Sequence, residues 1–405
     1  MWSLIPHPQN PFKQMIILKL PLAWLQLKHE KIRLLVAIAG ISFAVVLIFM
    51  QLGFQAALFD SAVHLHNSLR GDIFLLSTRS TSLIGMKSFS ERRLYQALAL
   101  PEVEFVTPIY LGFAQFQNPF NPSYWRNIHV IGFEIQYPIF KPIEIQKNLT
   151  QLKQQDVVLF DRASRFEYGA IADGFEEGKI LTTEIDNIVA STRKIRIGGL
   201  FQLGTSFGID GNLLTSHVNF LRIFSQRNKG LIDVGLIQLE SGIEVNRVQA
   251  AIRKKLPPDV RVFTKQEWIE FEKNYWMSST AIGFIFTLGV GMGLIVGIVV
   301  VYQILYTDVS DHLKEYATLN AMGYKDRYFL SVVLQESIIL AILGYIPGFL
   351  ISSGVYNLAR KMTLLPIAMT QNRSWFVFSL TLVMCFLAGM IAMGKLRDAD
   401  PSDIF

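Results

Sequence analysis

Apolar residues concentrate in four long stretches that are separated by very unequal lengths of polar chain. These stretches, at residues 34–59, 276–307, 328–358 and 375–394, contain a single charged side chain between them. A membrane-spanning helix needs about 20 consecutive, mostly apolar residues, and stretches of this length are too long for buried helices of a soluble core. The sequence therefore predicts four transmembrane helices, one before and three after a segment of mixed polarity at residues 60–275.

The segment between the first two spans has the patterning of a folded domain. Residues 103–116 alternate in a strand-like way, whereas residues 245–255 place apolar positions at helical spacing. Residues 265–274 predict a polar helix that runs straight into the second span. Strands and helices in mixed order predict an α+β fold. The predicted fold class is an α-helical membrane protein with four spans and a large α+β extracytoplasmic domain of one or two subdomains.

The remaining segments are short and flank the spans. Residues 1–33 mix apolar and basic positions and predict an amphipathic cytoplasmic helix, which either braces a partner or anchors the chain to lipid. Residues 308–327 form the predicted cytoplasmic loop, residues 359–374 a short periplasmic loop, and residues 395–405 the cytoplasmic tail. The first apolar run is too long for a cleavable signal peptide, so we expect it to remain as an anchor.

Lysine and arginine set the orientation, because cytoplasmic flanks of membrane spans carry an excess of both. Ten basic residues flank the spans on one side, against three in the short loop on the other. This bias predicts an inner-membrane protein whose large domain faces the periplasm. The ten are Lys13, Lys19, Lys28, Lys31, Arg33, Lys314, Lys325, Arg327, Lys395 and Arg397, and the opposing three are Arg360, Lys361 and Arg373.

Composition excludes several chemical functions. The net charge of +6 is explained by the membrane flanks, and basic residues of the domain are scattered, so nucleic-acid binding is not expected. The single cysteine, Cys385, lies in the last span, which leaves no disulfide or cysteine-type zinc site for the outer domain. His64 and His66 are closely spaced but are more simply explained as a juxtamembrane coincidence than as a metal site. Phosphate-binding loops and hydrolase motifs are absent, so no catalytic, cofactor or metal residues are predicted.

Glycines in the second span recur every fourth residue, at Gly289, Gly293 and Gly297. Small residues at this spacing make a flat helix face on which another helix can approach closely. We expect this face to form a dimer interface, with packing inside one subunit as the alternative.

Glu336 is a charged residue within the third predicted span. An ionised side chain is costly inside the bilayer and is a functional candidate by default. Glu336 lies near the cytoplasmic end of the span, where it can pair with a basic residue or accept a hydrogen bond. A structural or coupling role is therefore favoured over substrate or proton handling.

The loop at residues 308–327 predicts a short amphipathic helix that ends at Gly323. Such a helix on the cytoplasmic side suits docking in a groove of a partner protein, and the alternative is a helix lying on lipid. The residues assigned to this coupling role are Asp311, Lys314, Glu315, Leu319, Met322 and Gly323.

The same loop resembles a known family. Residues 315–324, EYATLNAMGY, with Leu334-Gln-Glu-Ser337 after them, resemble the coupling signature of FtsX-type ABC transporter permeases, in particular the MacB-like branch and the DevC-type permeases of cyanobacteria. The one-plus-three layout of the spans is typical of that family. Asn320 departs from the usual Lys or Arg, which puts one contact to an ATPase in doubt, and Tyr316 replaces the common Ile.

The resemblance implies a function and a set of partners. It implies a homodimeric permease in membrane lipids whose loop at 311–322 binds a cytoplasmic ABC ATPase dimer, so that ATP is bound by that partner and this chain is not an enzyme. A periplasmic adaptor and a TolC-like outer-membrane channel would complete an exporter for a lipid or glycolipid, driven by mechanotransmission through the long second helices. The alternatives are a lipoprotein-releasing permease and an FtsX-like scaffold that controls a cell-wall hydrolase.

Overall fold

A computed structural model describes residues 30–187, 192–311 and 326–397, which fold as two compact units. The membrane unit has its described residues within Met1–Gln55, Phe284–Ala359 and Ile367–Phe405. The outer unit comprises Ala56–Gly283 and Arg360–Pro366, apart from the undescribed residues 188–191.

Within the described residues, four helices are long and apolar enough to cross a membrane, with mean hydropathies of 2.1 to 2.6 over their best windows. One lies before and three lie after the large domain, which confirms the predicted fold class. Each extends beyond the apolar core that predicted it, except that the second starts at Ala281, later than the predicted residue 276. The four are α1 (Lys31–Ala62), α9 (Ala281–Asp311), α10 (Asp326–Thr363) and α11 (Gln371–Arg397).

Glycines of α10 allow α1 to pack closely within the membrane unit. A Cβ added at Gly344 would lie 2.4 Å from Ile41 Cγ2, and one added at Gly348 would lie 2.7 Å from Val45 Cγ1. The Ser42 hydroxyl donates a hydrogen bond of 2.9 Å to the carbonyl of Gly344. Small residues thus let the two backbones approach closely enough for a side chain of one helix to bond to the backbone of the other. Close packing and hydrogen bonds of this kind are the usual basis of helix association in lipid.

A nine-stranded sheet organises the outer unit, in the order β11-β1-β10-β3-β4-β8-β5-β7-β6. β3 also pairs with β6, so six of the strands, from β3 through β6 in that order, close into a ring, and β3 continues into a four-stranded antiparallel sheet with β10, β1 and β11. A second, two-stranded sheet pairs β2 with β9. The strands are β1 (Ile73–Ser77), β2 (Phe89–Ser90), β3 (Val103–Asn118), β4 (Asn121–Phe133), β5 (Val157–Asp161), β6 (Thr182–Asp186), β7 (Arg193–Phe201), β8 (Asn212–Ser216), β9 (Leu231–Ile232), β10 (Val234–Leu239) and β11 (Val260–Thr264).

Helices cover both faces of the four-stranded part of the sheet and build two apolar cores. α3 and α7 bury Leu94 and Ile252 in one core, whereas α2 and α8 bury Leu65 and Trp268 in the other. The unit is therefore α+β, as the mixed patterning predicts. Its helices are α2 (His64–Ser68), α3 (Arg92–Leu98), α4 (Ile143–Lys147), α5 (Ile171–Glu176), α6 (His217–Ile223), α7 (Val245–Lys255) and α8 (Lys265–Ser278), with 3-10 turns at Gln151–Lys153 and Phe166–Tyr168.

Local sequence signals explain where α8 begins. Thr264 is its N-cap, and its side chain accepts a hydrogen bond of 3.2 Å from the backbone N–H of Glu267. The Glu267 carboxylate in turn accepts a bond of 2.9 Å from the N–H of Thr264, which completes a capping box. The start of α8 is thus fixed directly at the end of β11, so the helix folds back across the sheet.

Candidate functional site

Most of the predicted coupling residues lie outside the described part of the chain. Lys314, Glu315, Leu319, Met322 and Gly323 fall in residues 312–325, and their role stays a prediction. The exception is Asp311, the last residue of α9, whose side chain is exposed.

A charged cluster at the cytoplasmic end of the membrane unit joins α1 to α9. Arg33 Nη2 lies 2.5 Å from Asp311 Oδ2, and Nη1 lies 3.4 Å from Asp308 Oδ1. Arg33 Nε also contacts Glu30 at 2.8 Å. The guanidinium presents several donors in a fixed plane, so one side chain can hold carboxylates from two helices. Sequence reasoning used Arg33 only as an orientation signal and missed this pairing, which joins residues 275 or more positions apart.

Glu336 is fully buried within the membrane unit. Neither oxygen of its carboxyl group has a hydrogen-bond partner among the described residues, and Asp308 acts on it as a like charge. A carboxyl without donors and next to another acid is costly to ionise in such a place. Neither the basic partner nor the hydrogen-bond donor considered for Glu336 is found in the described part of the chain, and its role stays a prediction.

The glycines of the second span contact other helices of the same chain. Cβ atoms added at Gly289 and Gly293 would lie 2.4 and 3.0 Å from side-chain atoms of Gln51 and Ile48 on α1. One added at Gly297 would lie 2.0 Å from the sulfur of Met384 on α11. These contacts with the first and fourth spans favour the alternative of packing inside one subunit. The role of this face in a dimer stays a prediction.

A short interruption separates α8 from α9, so the predicted continuous helix is wrong at this point. Ser279 and Thr280 are not helical, and the Thr280 hydroxyl donates a bond of 2.7 Å to the carbonyl of Trp276. A Cβ added at Gly283 would lie 2.0 Å from the carbonyl oxygen of Met277. The chain therefore bends tightly between the domain helix and the second span, and only glycine fits at position 283.

Aromatic and imidazole rings pack the N-terminal part of α8 against the rest of the outer unit. Trp268 is fully buried, with ring centroids 4.0 Å from His66 and 4.6 Å from Phe74. Neither ring nitrogen of His66 has a hydrogen-bond partner among the described residues. Burial lowers the pKa of His66 to about 3, with the positive charge of Lys265 acting in the same direction. His66 is consequently neutral and packs against the Trp268 ring.

Glu272 connects the C-terminal part of α8 to a loop of the outer unit through a hydrogen bond. Its carboxyl group accepts bonds of 2.7 Å from the N–H of Leu83 and 2.9 Å from the indole N–H of Trp276, and it is 1% exposed. Burial raises the pKa of Glu272 to about 7, against the lowering effect of these two hydrogen bonds. The group that ties the loop after β1 to the stem of α8 thus titrates near neutral pH. No sequence signal distinguishes Glu272 from the exposed acids around it.

A second buried carboxyl group organises the outer unit at the end of β5. Asp161 accepts four hydrogen bonds of 2.9 to 3.1 Å, from the N–H groups of Ala163, Leu203 and Gly204 and from the Asn212 amide. Burial raises its pKa although all four bonds oppose that shift. Asn212 also contacts His129 Nδ1 at 3.3 Å. No three acids, histidines or cysteines within the described ranges are placed to hold a metal ion.

Comparison with known proteins identifies a family domain in the last third of the chain. Residues 277–401 match the family model described as "FtsX-like permease C-terminal". A search of the curated proteins finds no match. Among solved structures, the periplasmic region of MacB from Actinobacillus actinomycetemcomitans matches at 10% identity with a TM-score of 0.34, covering 49% of this chain and 91% of that one. The extracellular domain of the noncanonic ABC-type transporter YknZ from Gram-positive bacteria matches at 11% identity with a TM-score of 0.30, covering 47% and 98%.

The spans and the family match together define the class of protein. The chain is a multi-pass protein of the inner membrane, and its outer unit lies on the periplasmic side, as the basic flanks predict. The matched region contains the second, third and fourth spans and the loop between the second and third.

Proposed function

We propose that this chain is the membrane subunit of an ABC exporter of the MacB-like type. The observation that carries the proposal is the FtsX-like permease match over residues 277–401 in a chain whose large domain is inserted between its first two spans. A permease of this kind binds no nucleotide itself, and a separate cytoplasmic ATPase dimer hydrolyses ATP.

The coupling mechanism we infer is mechanical. The proposed ATPase-binding loop directly follows α9, whose last residue, Asp311, is joined by Arg33 to α1. A force on the loop therefore reaches two spans together. At its other end α9 is separated from α8 by only Ser279 and Thr280, and α8 is packed on the sheet of the outer unit through Trp268. Movement of the second span would thus be passed to the periplasmic domain without cargo crossing the bilayer between the helices.

The finer assignments extend this proposal. The chain works as a homodimer with a periplasmic adaptor and a TolC-like outer-membrane channel, and its cargo is a lipid or glycolipid, as expected from the resemblance to DevC-type permeases. The size of the outer unit supports an exporter over an FtsX-like scaffold, since scaffolds of that type have smaller outer domains. A lipoprotein-releasing permease shares the large domain and differs from the exporter in cargo and partners.

Co-purification from the native membrane in a gentle detergent tests the proposal. We expect an ATPase, an adaptor and an outer-membrane channel to be recovered together, with an enriched lipid as the cargo candidate. Recovery of an ATPase with a cell-wall hydrolase or its activator, and no adaptor, would favour the scaffold instead. Recovery of a lipoprotein carrier would favour the lipoprotein-releasing permease.

Substitution in the loop tests the coupling role. Gly323→Pro or Glu315→Ala should uncouple ATP hydrolysis by the partner from export while the protein still inserts in the membrane. Lys361→Ala, in the last turn of α10 on the opposite side, is the matched control and should leave both activities unchanged. Unchanged export by Gly323→Pro would refute the assigned role of the loop.

A further inference from the structure

Two loops of the outer unit expose apolar side chains next to each other. Ile84, in the loop between β1 and β2, is 39% exposed, and Phe207, in the loop between β7 and β8, is 55% exposed. The loops are in contact, because a Cβ added at Gly208 would lie 3.0 Å from Ile84 Cγ2. Residues 81–86 and 202–209, which form the tips of these loops, contain no charged side chain. We refer to these two tips together as the collar.

The collar packs against the end of α8. The Phe207 ring meets the Trp276 ring edge-on, with centroids 5.4 Å apart, and the Leu83 N–H is bonded to Glu272 one turn earlier on the same helix. Trp276 also packs with Phe59, in the last turn of α1. Since α9 begins at Ala281, the collar lies beside Trp276, which shortly precedes the second span and packs on the last turn of the first.

The chemistry of this location is that of a membrane–water boundary. Tyr275 and Trp276 immediately precede the second span, and aromatic residues of this kind are enriched at the headgroup level of bilayers. Met277, the next residue, is 43% exposed. On the helices that meet here, Lys273 Nζ is paired with Asp60 Oδ1 at 3.0 Å and Glu272 is buried. Exposed apolar loops without charges would be unfavourable in water and are stabilised by contact with lipid.

We propose that the collar inserts into the periplasmic leaflet of the bilayer, with Ile84 and Phe207 as its lipid-contacting side chains. The occupant of this surface is lipid and not a protein partner, because the surface is continuous through Trp276 with the ends of two membrane spans. The inference concerns how the outer unit meets the membrane, and it holds whichever cargo or partner the proposed exporter has.

Site-directed spin labelling of the full chain in phosphatidylcholine–phosphatidylglycerol nanodiscs tests this surface. The only native cysteine, Cys385, is fully buried, so Cys385→Ser supplies a clean background. Labels are introduced by Ile84→Cys and Phe207→Cys, and their accessibility to oxygen is compared with that to a polar nickel chelate. The matched control is Ile243→Cys, a residue 36% exposed in the turn after β10. That turn follows the end of β10, where β10 pairs with the start of β1. The collar loop at residues 81–86 follows the end of β1, so the control and the collar lie at opposite ends of this strand.

We expect the oxygen-to-nickel accessibility ratio at positions 84 and 207 to be several-fold higher than at position 243. Equal ratios at all three positions would show that the collar faces water and would overturn the proposal. Low accessibility to both reagents would also overturn it, because it indicates burial in a protein interface. Photoactivatable phosphatidylcholine gives an independent readout on the unsubstituted protein. Its adducts should map to residues 81–86 or 202–209, and their absence from both segments would count against lipid contact.

Discussion

Each of the two units buries a carboxyl group, but of these two groups only the one in the outer unit has hydrogen-bond partners among the described residues. Asp161 in the outer unit is surrounded by four donors, three of them backbone N–H groups of the segments around it. Glu336 in the membrane unit has no hydrogen-bond partner for either oxygen within the described ranges. Both side chains are fully buried. Burial alone therefore does not distinguish a carboxyl group that builds the fold from one that is kept for another purpose.

The difference has a physical explanation. An outer domain has irregular loops whose N–H groups need acceptors, and one aspartate can satisfy several of them. A membrane helix satisfies its own backbone groups internally, so it has no spare donors to offer a carboxyl group. A buried acid in a span therefore stabilises the fold only if another side chain supplies the donors, and none of the described ones does so for Glu336. This contrast predicts a graded series of mutational effects.

Removing Asp161 should have the largest effect. Asp161→Ala would leave three backbone N–H groups and the Asn212 amide without their acceptor, and we expect a loss of about 3 kcal/mol or more in the free energy of unfolding. Thermal unfolding of the full chain in nanodiscs, followed by tryptophan fluorescence, measures this loss. Glu240→Ala, which removes an exposed acid of the same unit, should change stability by less than about 0.5 kcal/mol. Similar effects for both would show that the buried bonds contribute little.

Within the membrane unit, close packing and not hydrogen bonding should dominate stability. Gly344→Ala places a methyl group 2.4 Å from Ile41 Cγ2, whereas Gly354→Ala, on the same helix, meets nothing within 4 Å. We expect the first substitution to destabilise the unit by about 1–3 kcal/mol because it overpacks the contact between α1 and α10. The second should be neutral or slightly stabilising, since alanine favours helix. Equal melting temperatures for the two variants would contradict the close contact.

In the membrane unit, the sequence predicts the positions of the spans better than it predicts the contacts between them. Length and hydropathy alone locate four spans, because the bilayer imposes both on any helix that crosses it. The same glycine spacing at Gly289, Gly293 and Gly297 is equally compatible with an internal and an intermolecular contact, and only the structure reveals the partners on α1 and α11. Helix spacing specifies that a face is flat, but not which helix lies on it.

In the outer unit, the sequence predicts individual strands but not the contacts between remote segments of the chain. Alternation predicts strands such as β3, but the ring closes through only two residue pairs between β3 and β6, some 70 positions apart. The roles of Asp161 and Glu272 depend on loops that approach them from remote parts of the chain. No local pattern separates these acids from exposed ones such as Glu176, since their environment is created by folding.

The pH dependence of stability should distinguish Glu272 from its neighbours. Its pKa in the folded protein, about 7, lies above the ordinary value of 4.5, so the folded state holds an extra proton between these values. The free energy of unfolding should therefore fall as pH rises through this window, by about 1–3 kcal/mol in total. Glu272→Gln should abolish this fall, whereas Glu270→Gln, on the exposed side of α8, should leave it unchanged.

His66 should act in the opposite direction. Its pKa in the folded protein is about 3, below the ordinary value of 6.5, so the unfolded chain binds the additional proton. The free energy of unfolding should fall as pH drops below 6.5. In the Glu272→Gln variant this contribution is no longer offset, and stability should rise continuously from pH 5 to 7. A flat profile in that variant would show that His66 is protonated without cost.

The smallest effect on stability should come from Glu336→Gln, and this makes it the sharpest test of the contrast between the two acids. Because neither carboxyl oxygen accepts a hydrogen bond from a described residue, the neutral isostere should change the free energy of unfolding by less than about 1 kcal/mol. If Glu336 serves coupling, export per ATP hydrolysed by the reconstituted complex should nevertheless fall. Thr381→Val, which removes a buried hydroxyl bonded to the Val377 carbonyl at 2.8 Å on α11, should leave that ratio unchanged. A destabilised Glu336→Gln protein with a normal ratio would mean that Glu336 has a structural role after all, with a partner among the residues beyond the described ranges or in a second subunit.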